Sequence, residues 1–321
     1  MLGRFYPPTA LVAMFLAVMV LMLVGCNGAT QDAPNRLNAD SGRGFMERSL
    51  PNGRHYAIFI PLKYDASRKY PTIVFLHGIG EGGEDVRKPL SVGLATYVAK
   101  HADTFDFICI FPQSPGGGWD EESDCARDVV AAIDDTARVY NVDRDRVSLT
   151  GVSTGGHGTW AIGAKYSSYF SALAPMCAAT PFTGDSQALA RMNIWAFENA
   201  VDPFTLPMST QASVGAVRSA GGTVKHTVSP LPGHDCWDMA YSDSQLFAWL
   251  KQQHRGGAMA ARPIEQPRTE VAASPVETSR QTTSAVPARV APTVPANPSV
   301  PARSTPVRQT TNTTVIPPTV Y

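Results

Sequence analysis

The chain lacks an excess of charge of either sign. Its 321 residues carry 27 lysines and arginines against 27 aspartates and glutamates. Proteins that bind nucleic acid usually concentrate positive charge on one face, and this composition gives no such footprint. We therefore expect no nucleic-acid partner. The length provides ample material for one large or two ordinary domains.

The last part of the chain lacks the residues that build a core. Residues 256–321 contain no Phe, Trp, Cys or Lys and consist mainly of Pro, Thr, Ala, Val, Ser and Arg. Such a segment buries too little apolar surface to offset the entropy lost on ordering it. We predict a disordered Pro/Thr/Ala-rich tail over 256–321 with no specific binding role.

Charged residues are also nearly absent from the N-terminus, where Arg4 stands alone in the first 25 residues. An uninterrupted apolar run over 11–24 is followed at once by a glycine and Cys26. This pattern is similar to a bacterial lipoprotein signal. We predict a signal peptide over 1–25, lipidation of Cys26 and a flexible tether over 26–43. The alternative is an uncleaved membrane anchor, for which the run is somewhat short.

A lipidated Cys26 would anchor the exported chain to the bacterial cell envelope, in the periplasm or at the outer membrane, with the membrane as a partner through the lipid. Export permits disulfides among the remaining cysteines. Cys109 lies in an apolar run and is predicted to be a small buried hydrophobe. Cys177 follows the predicted strand 172–176, and Cys236 lies two residues after His234, a candidate catalytic residue. A bridge between these two is our hypothesis.

Between tether and tail, apolar β-branched runs alternate with helical patterns. Continuous apolar strands separated by helices predict an α/β fold, with a mostly parallel sheet covered by helices on both faces. A single catalytic domain over 44–255 is expected. The predicted strands cover 55–60, 72–76, 107–111, 146–150, 172–176, 194–197 and 224–228.

A Gly-x-Ser-x-Gly motif centred on Ser153 follows one of these strands and precedes a helical pattern. This is the layout of a nucleophile elbow, where a sharp turn exposes the serine. Gly151 and Gly155 are expected to be small because strand and helix nearly touch there. We predict Ser153 as a catalytic nucleophile, and a structural Gly/Ser turn is the alternative.

Chain order identifies partners for this serine. In α/β-hydrolases the acid and then the histidine follow the nucleophile, each on a loop after a strand. Asp202 and His234 occupy those two positions, so we predict a Ser153, Asp202 and His234 triad. Glu198 competes for the acid role but lies too close to its strand, and Asp185 comes before that strand.

An oxyanion hole requires two backbone N–H groups directed at the developing charge. One is expected from Thr154, directly after the nucleophile. The second is expected from Ile79, in the glycine-rich loop 77–83 that follows a strand, and His77 is expected to brace that loop. The acidic residues at 81, 84 and 85 are interpreted as a solvated loop. No metal and no cofactor are predicted.

Substrate contacts are predicted for Gln113 and for two tryptophans. Trp119 lies in a loop at the same edge of the sheet, and Trp237 lies close to the predicted catalytic histidine. An aromatic floor for an acyl or sugar group is one interpretation of the pair. Capping of the core by both tryptophans is the alternative.

Four motifs together resemble those of exported α/β-hydrolase esterases. These are the carboxylesterases related to dienelactone hydrolases, polyhydroxybutyrate depolymerases and feruloyl or acetylxylan esterases, and they are often labelled prolyl-oligopeptidase-like. The motifs are His77-Gly78-x-Gly80-Glu81, Pro112-Gln113-Ser114-Pro115 with Trp119, Gly-x-Ser-x-Gly-Gly-x-Gly-Thr-Trp at 151–160 and Gly233-His234-Asp235-Cys236-Trp237.

This resemblance covers about residues 44–255 and implies the α/β-hydrolase fold and ester hydrolysis through an acyl-enzyme without a cofactor. It assigns the nucleophile to Ser153, the acid to Asp202 and the base to His234. The expected substrate is a small-molecule or polymer ester, such as a polysaccharide-linked ester or a polyester. The alternatives are a serine peptidase on short peptides and a surface-anchored binding module on an inactive hydrolase fold. The sequence does not indicate the oligomeric state.

Overall fold

A computed structural model of the protein describes residues 42–206 and 208–256. The predicted signal peptide and Cys26 lie outside the described residues, as do nearly all of the predicted tether and tail. These assignments and the domain boundaries therefore stay predictions. Within the described ranges no helix combines the length and the apolar character that a membrane crossing requires.

Eight strands form one sheet in the spatial order β1-β2-β4-β3-β5-β6-β7-β8. β2 pairs antiparallel with β1 and β4, and the remaining neighbours are parallel. The mostly parallel sheet is as predicted. The strands are β1 (Gly44–Ser49), β2 (His55–Ile60), β3 (Tyr70–Leu76), β4 (Ile108–Pro112), β5 (Val142–Val152), β6 (Ala172–Met176), β7 (Asn193–Val201) and β8 (Val224–Pro232).

Helices occupy most of the connections between the parallel strands. Short 3-10 turns add to them at Ile79–Glu81, Lys88–Ser91 and Ser167–Tyr169. In the described part of the chain the α-helices are α1 (Leu94–Lys100), α2 (Asp124–Val139), α3 (Thr154–Lys165), α4 (Ser186–Leu189), α5 (Ser209–Ser219), α6 (Cys236–Ser242) and α7 (Ser244–Gln252).

The sheet is buried on both faces, which explains its continuous apolar strands. Every residue of β3 is buried, and its alternating side chains feed two separate cores. Val74 packs with Leu149 and Trp160 on one face. Phe75 packs with Phe111 on the other. Helices therefore cover both faces of the sheet, as expected for an α/β-hydrolase.

All seven predicted strands are present, several with longer ends. β1 is the strand that the sequence did not predict. It lies at the edge of the sheet and pairs through its backbone with β2. Only its first three residues are buried, and its second half is Glu-Arg-Ser. An edge strand with so little apolar alternation has no clear periodic signal.

The parallel strands direct the loops that follow them to one edge of the sheet. The loop after β3 holds residues 77–83, and β5 ends one residue before Ser153. Asp202 follows β7 directly and His234 follows β8 by two residues. Ligands of open α/β sheets bind at the carboxyl ends of the strands, so this edge is where a site is expected.

Candidate active site

Ser153 lies at the tip of a sharp turn between β5 and α3. Its φ of 57° and ψ of −117° are rarely adopted by a residue with a side chain. The turn is held by the main chain: the Ser153 N–H donates to the Met176 carbonyl (3.1 Å), and the Ser153 carbonyl accepts from Ala179 N–H (3.1 Å). The hydroxyl is left half-exposed and makes no hydrogen bond within the described residues.

Close contact of strand and helix explains the two motif glycines. A Cβ on Gly155 would overlap the Leu76 carbonyl and lie 2.6 Å from the His77 carbonyl oxygen. A Cβ on Gly151 would lie 2.8 Å from the Leu76 oxygen and overlap the Gly155 carbonyl. These are backbone groups that cannot rotate away. The expectation that both residues must be small is confirmed.

Asp202 and His234 form a hydrogen-bonded pair at the neighbouring strand ends. The His234 Nδ1 lies 2.7 Å from Asp202 Oδ2, and the two side chains are 13% and 5% exposed. The other carboxylate oxygen accepts from the Phe204 N–H at 2.9 Å. An ionised carboxylate only accepts, so Nδ1 carries the proton and Nε2 of a neutral ring is free to take one.

Two further hydrogen bonds tie the histidine loop to β7. The Gly233 N–H donates to the Val201 carbonyl (2.8 Å), and Asn199 Nδ2 donates to the Gly233 carbonyl (3.0 Å). Gly233 has φ +111°, a value that favours glycine. Asn199 is a positioning residue that the sequence analysis missed, because its role depends on a contact across 34 positions of sequence.

The hypothesised disulfide between Cys177 and Cys236 is present. It joins the residue after β6 to α6, two residues beyond His234. Cys177 Sγ, an Asp202 carboxylate oxygen and a His234 ring nitrogen all lie within 4.8 Å of one another. Because Met176 accepts the Ser153 N–H, the bridge connects the serine turn to the acid–base pair.

The same three groups have the spacing of a metal site, but their chemistry does not fit one. The Cys177 sulfur is held in the disulfide and offers no thiolate. Asp202 and His234 are already hydrogen-bonded to each other at 2.7 Å. The cluster is better understood as a structural support of the acid–base pair.

The competing acids have other partners. Glu198 is buried on β7 with its Oε1 3.0 Å from the His226 Nε2. Asp185 accepts the Gln187 N–H at the start of α4. The structure therefore places neither carboxylate against His234 and leaves Asp202 as the acid in contact with it.

The two proposed oxyanion donors are the first residues of helical segments, so their N–H groups have no partner within the helix. Thr154 begins α3, and its hydroxyl donates to the Gly117 carbonyl (2.7 Å). Ile79 begins the 3-10 turn after β3. A Cβ on the adjacent Gly78 would lie 3.6 Å from the Ser153 Cβ, so this loop lies over the serine.

Glu81 was interpreted as part of a solvated acidic loop, and this was wrong. Its half-buried carboxylate is turned towards Gly78, where an added Cβ would lie 3.2 Å from Glu81 Oε2. Burial raises the pKa of Glu81, and the backbone N–H groups of Gly78 and Glu81 act in the opposite direction. Ile79, the first residue of the 3-10 turn beside Gly78, stays the predicted second oxyanion donor of this loop.

His77 braces the oxyanion loop, as expected. Its Nδ1 donates to the Gly78 carbonyl (2.7 Å), and its Nε2 accepts the Ser114 N–H (3.0 Å). That pattern requires a neutral ring. Burial lowers the pKa of His77 to about 4, and the Gly78 hydrogen bond raises it by less. A neutral imidazole with both nitrogens hydrogen-bonded is suited to supporting the loop rather than to transferring protons.

The structure corrects the predicted roles of Gln113 and Trp119. Trp119 is 2% exposed, and its indole N–H donates to the His77 carbonyl (2.8 Å). Gln113 is 6% exposed, and its amide donates to the Glu81 and Gly83 carbonyls (2.9 and 2.8 Å). Both side chains support the loop from inside and present no surface to a substrate.

Aromatic rings flank the catalytic histidine candidate on two sides. Trp237 is half-buried, with its ring 5.3 Å from that of His234 and nearly perpendicular to it. Phe204 lies 5.7 Å from the same ring and is 43% exposed. Trp237 is therefore placed where a substrate contact was predicted, and Phe204 was missed. The only sequence signal for Phe204 is its position two residues after Asp202, the predicted acid.

An eight-stranded, mostly parallel sheet with a serine turn after β5 and an acid–histidine pair after β7 and β8 defines the α/β-hydrolase fold class. The chain has this fold, as predicted. No family model matches the sequence. A segment of 88 residues is 34% identical to acetylxylan esterase A of Emericella nidulans, covering 24% of this chain and 29% of that protein.

Solved structures show the same fold. A thermostable esterase matches with a TM-score of 0.58 and 25% identity, over 66% of this chain and 63% of that one. The serine hydrolase FphF of Staphylococcus aureus matches with a TM-score of 0.52 and 13% identity, over 64% and 98%. The chain thus spans less than a third of the acetylxylan esterase and under two thirds of the thermostable esterase. The resemblance to α/β-hydrolase esterases is confirmed.

Proposed function

We propose that this protein is a serine carboxylesterase that works through an acyl-enzyme. The observation that carries the proposal is the Asp202–His234 pair, which leaves the second ring nitrogen free at the same edge of the sheet as the strained turn of Ser153. The similarity to a thermostable esterase and to part of an acetylxylan esterase supports the same reaction class. Polysaccharide-linked esters and polyesters are the candidate substrate classes.

In the proposed acylation step, Ser153 Oγ attacks the ester carbonyl carbon while His234 Nε2 takes its proton. Asp202 stabilises the imidazolium and holds the ring in the required tautomer. The Ile79 and Thr154 N–H groups donate to the developing oxyanion, which also benefits from the positive end of α3. His234 then gives its proton to the leaving alcohol, and the C–O bond of the ester breaks.

Water resolves the acyl-enzyme by the same route. His234 deprotonates the water, the hydroxide adds to the acyl carbon, and the proton returns to Ser153 as the acid leaves. The Ser153 hydroxyl and His234 are not hydrogen-bonded in this unliganded form. Such contacts are often long before substrate binds, and they tighten in the complex.

Covalent labelling of the full chain tests the proposal. Trypsin releases residues 147–165 as one peptide that holds Ser148 and Ser153. A fluorophosphonate is expected to add to Ser153 one to one, and p-nitrophenyl acetate hydrolysis should fall in proportion to the adduct. Ser148 is 2% exposed and serves as an internal control. Turnover that persists after full labelling would overturn the assignment, as would an adduct on a different residue.

Faster cleavage of a peptide p-nitroanilide than of the ester would favour the peptidase alternative.

We further propose that the chain is exported and lipid-anchored through Cys26. Support comes from the apolar run before Cys26 and from the disulfide at the site, because such bridges persist in oxidising compartments. Mass spectrometry of the protein purified from a bacterial host tests this. The expected N-terminus is a diacylglycerol-modified Cys26, and an unprocessed Met1 would contradict it.

A further inference from the structure

Five exposed apolar side chains form a strip beside the acid–base pair. Nine large apolar side chains are exposed in the described residues, and six of them lie between 201 and 231. Val228 lies within β8 opposite Glu198, and the other five flank the ends of β7 and β8 near Asp202 and His234. Single exposed apolar residues are ordinary, whereas a cluster marks a surface that binds something. The members of this strip are Val201, Phe204, Leu206, Met208 and Leu231, exposed by 63%, 43%, 43%, 66% and 60%.

The strip is built into the backbone of the site. The Leu206 N–H donates to the Ala179 carbonyl (3.2 Å), and Ala179 N–H in turn donates to the Ser153 carbonyl (3.1 Å). Phe204 lies against the His234 ring and its N–H donates to Asp202. The backbone of the strip is therefore tied to the serine turn through Ala179 and to the acid–base pair through Phe204, so an occupant of the strip lies close to the site.

A bulge places the last member of the strip. Asn199 pairs with Ser229 and Val201 pairs with Pro232, so β8 carries one residue more than β7 between these pairs. Bulges re-aim side chains near active sites. Leu231 lies within this bulge and is 60% exposed. It is close to Val201, whose carbonyl accepts the Gly233 N–H.

The strip contains no exposed charged side chain of its own, and the exposed Asp235, which follows His234, lies at its border. Residues 203–217 and 227–233 contain no Asp, Glu, Lys or Arg. Asp202 is the one charged residue within the strip, and its side chain is 5% exposed and paired with His234. The strip itself therefore favours an uncharged, apolar occupant.

Resting on the proposed esterase activity, we infer that this strip binds the alcohol half of the ester and that the preferred leaving group is large and apolar. Of the two candidate substrate classes this favours polyesters, because the alcohol half of a polysaccharide-linked ester is a polar sugar. His234 gives its proton to the leaving oxygen, so a group beside that ring, as Phe204 is, meets the alcohol before the acyl chain. Phe204 and Leu206 are the specificity-determining residues of this surface. With a small or charged alcohol, the apolar side chains of the strip would stay exposed to water.

Two matched ester series test the inference on the full chain. One series holds the acid as acetate and lengthens the alcohol from ethyl to butyl to hexyl. The other holds ethanol and lengthens the acid from acetate to hexanoate. Since a fully buried methylene contributes about fourfold in affinity, we expect kcat/KM to rise about twofold per methylene of the alcohol on this half-open surface. The acid series should show a weaker dependence.

Variants separate the strip from a general loss of structure. Phe204→Ala and Leu206→Ser are expected to lower kcat/KM for hexyl acetate by about tenfold, and for ethyl acetate by about threefold or less. Val139→Ser is the control, because Val139 is 55% exposed at the end of α2, beyond the amino ends of the strands. It should leave both series unchanged.

The outcomes are distinguishable from those of the proposed function. A fluorophosphonate adduct on Ser153 together with a flat alcohol series overturns the strip and leaves the esterase standing. Equal losses on ethyl and hexyl acetate in Phe204→Ala also overturn it, since they would show that Phe204 only supports Asp202. The absence of both adduct and ester turnover overturns both proposals.

Discussion

Replacing Asp202 with Asn is expected to lower kcat by about 10³- to 10⁴-fold with little change in folding. The carboxylate accepts the proton-bearing Nδ1 of His234 at 2.7 Å. An amide at this position presents its own N–H to the ring, which favours the tautomer with the proton on Nε2. That nitrogen could then no longer take the proton of Ser153. The measurement is steady-state p-nitrophenyl acetate hydrolysis, together with the rate of fluorophosphonate labelling, which should fall in parallel.

Glu198→Gln is the matched control. Glu198 lies four residues before Asp202, within β7, and contacts His226 in place of His234. The same change from carboxylate to amide should therefore leave kcat within about threefold of the parent, because the substituted group does not touch the reacting atoms. A larger loss in Glu198→Gln than in Asp202→Asn would contradict our assignment and make Glu198 the acid.

The acid and the histidine of the site are the part that the sequence predicts best. Asp202 and His234 were predicted from the order of strands alone, because the α/β-hydrolase fold places each residue after a particular strand. β7 and β8 extend further than the apolar runs that predicted them, to Val201 and Pro232. The longer strands bring the acid directly to the end of β7 and agree with the predicted positions of both residues.

Loop interiors were the part that the sequence could not predict. Glu81 reads as one of three acidic residues among glycines, and only the folded loop shows its carboxylate turned towards the Gly78 N–H. Trp119 reads as a residue at the mouth of a site, and only its bond to the His77 carbonyl shows that it is internal. Periodicity reports which face of a strand or helix is buried, but it carries no information about side-chain direction in a loop.

Asn199 and Phe204 illustrate the same limit from the functional side. Asn199 supports the histidine loop through Gly233, and Phe204 lies against the histidine ring. Neither residue type is chemically reactive, so no motif singles it out. Their importance follows from contacts between segments about thirty residues apart, which chain order does not specify.

The elbow provides the second large effect. Gly155→Ala is expected to lower the free energy of unfolding by about 4 kcal/mol or more, a large part of the 5–15 kcal/mol typical of a domain. The added methyl group would overlap the Leu76 carbonyl and lie 2.6 Å from the His77 oxygen. Both are backbone atoms at the end of β3, so relief requires the helix and the central strand to move apart. Urea denaturation followed by far-ultraviolet circular dichroism and tryptophan fluorescence gives the measurement.

Gly215→Ala is the control for this substitution, because it makes the same chemical change within a helix. Gly215 lies in α5, where a Cβ would meet nothing within 4 Å. Alanine has the higher helix propensity, so this variant should be as stable as the parent or more stable by up to about 1 kcal/mol. Equal stability of Gly155→Ala and Gly215→Ala would contradict the close contact between β3 and α3. A selective loss in Gly155→Ala would instead show that the small residues of the motif are required by packing of the fold, separately from the chemistry of Ser153.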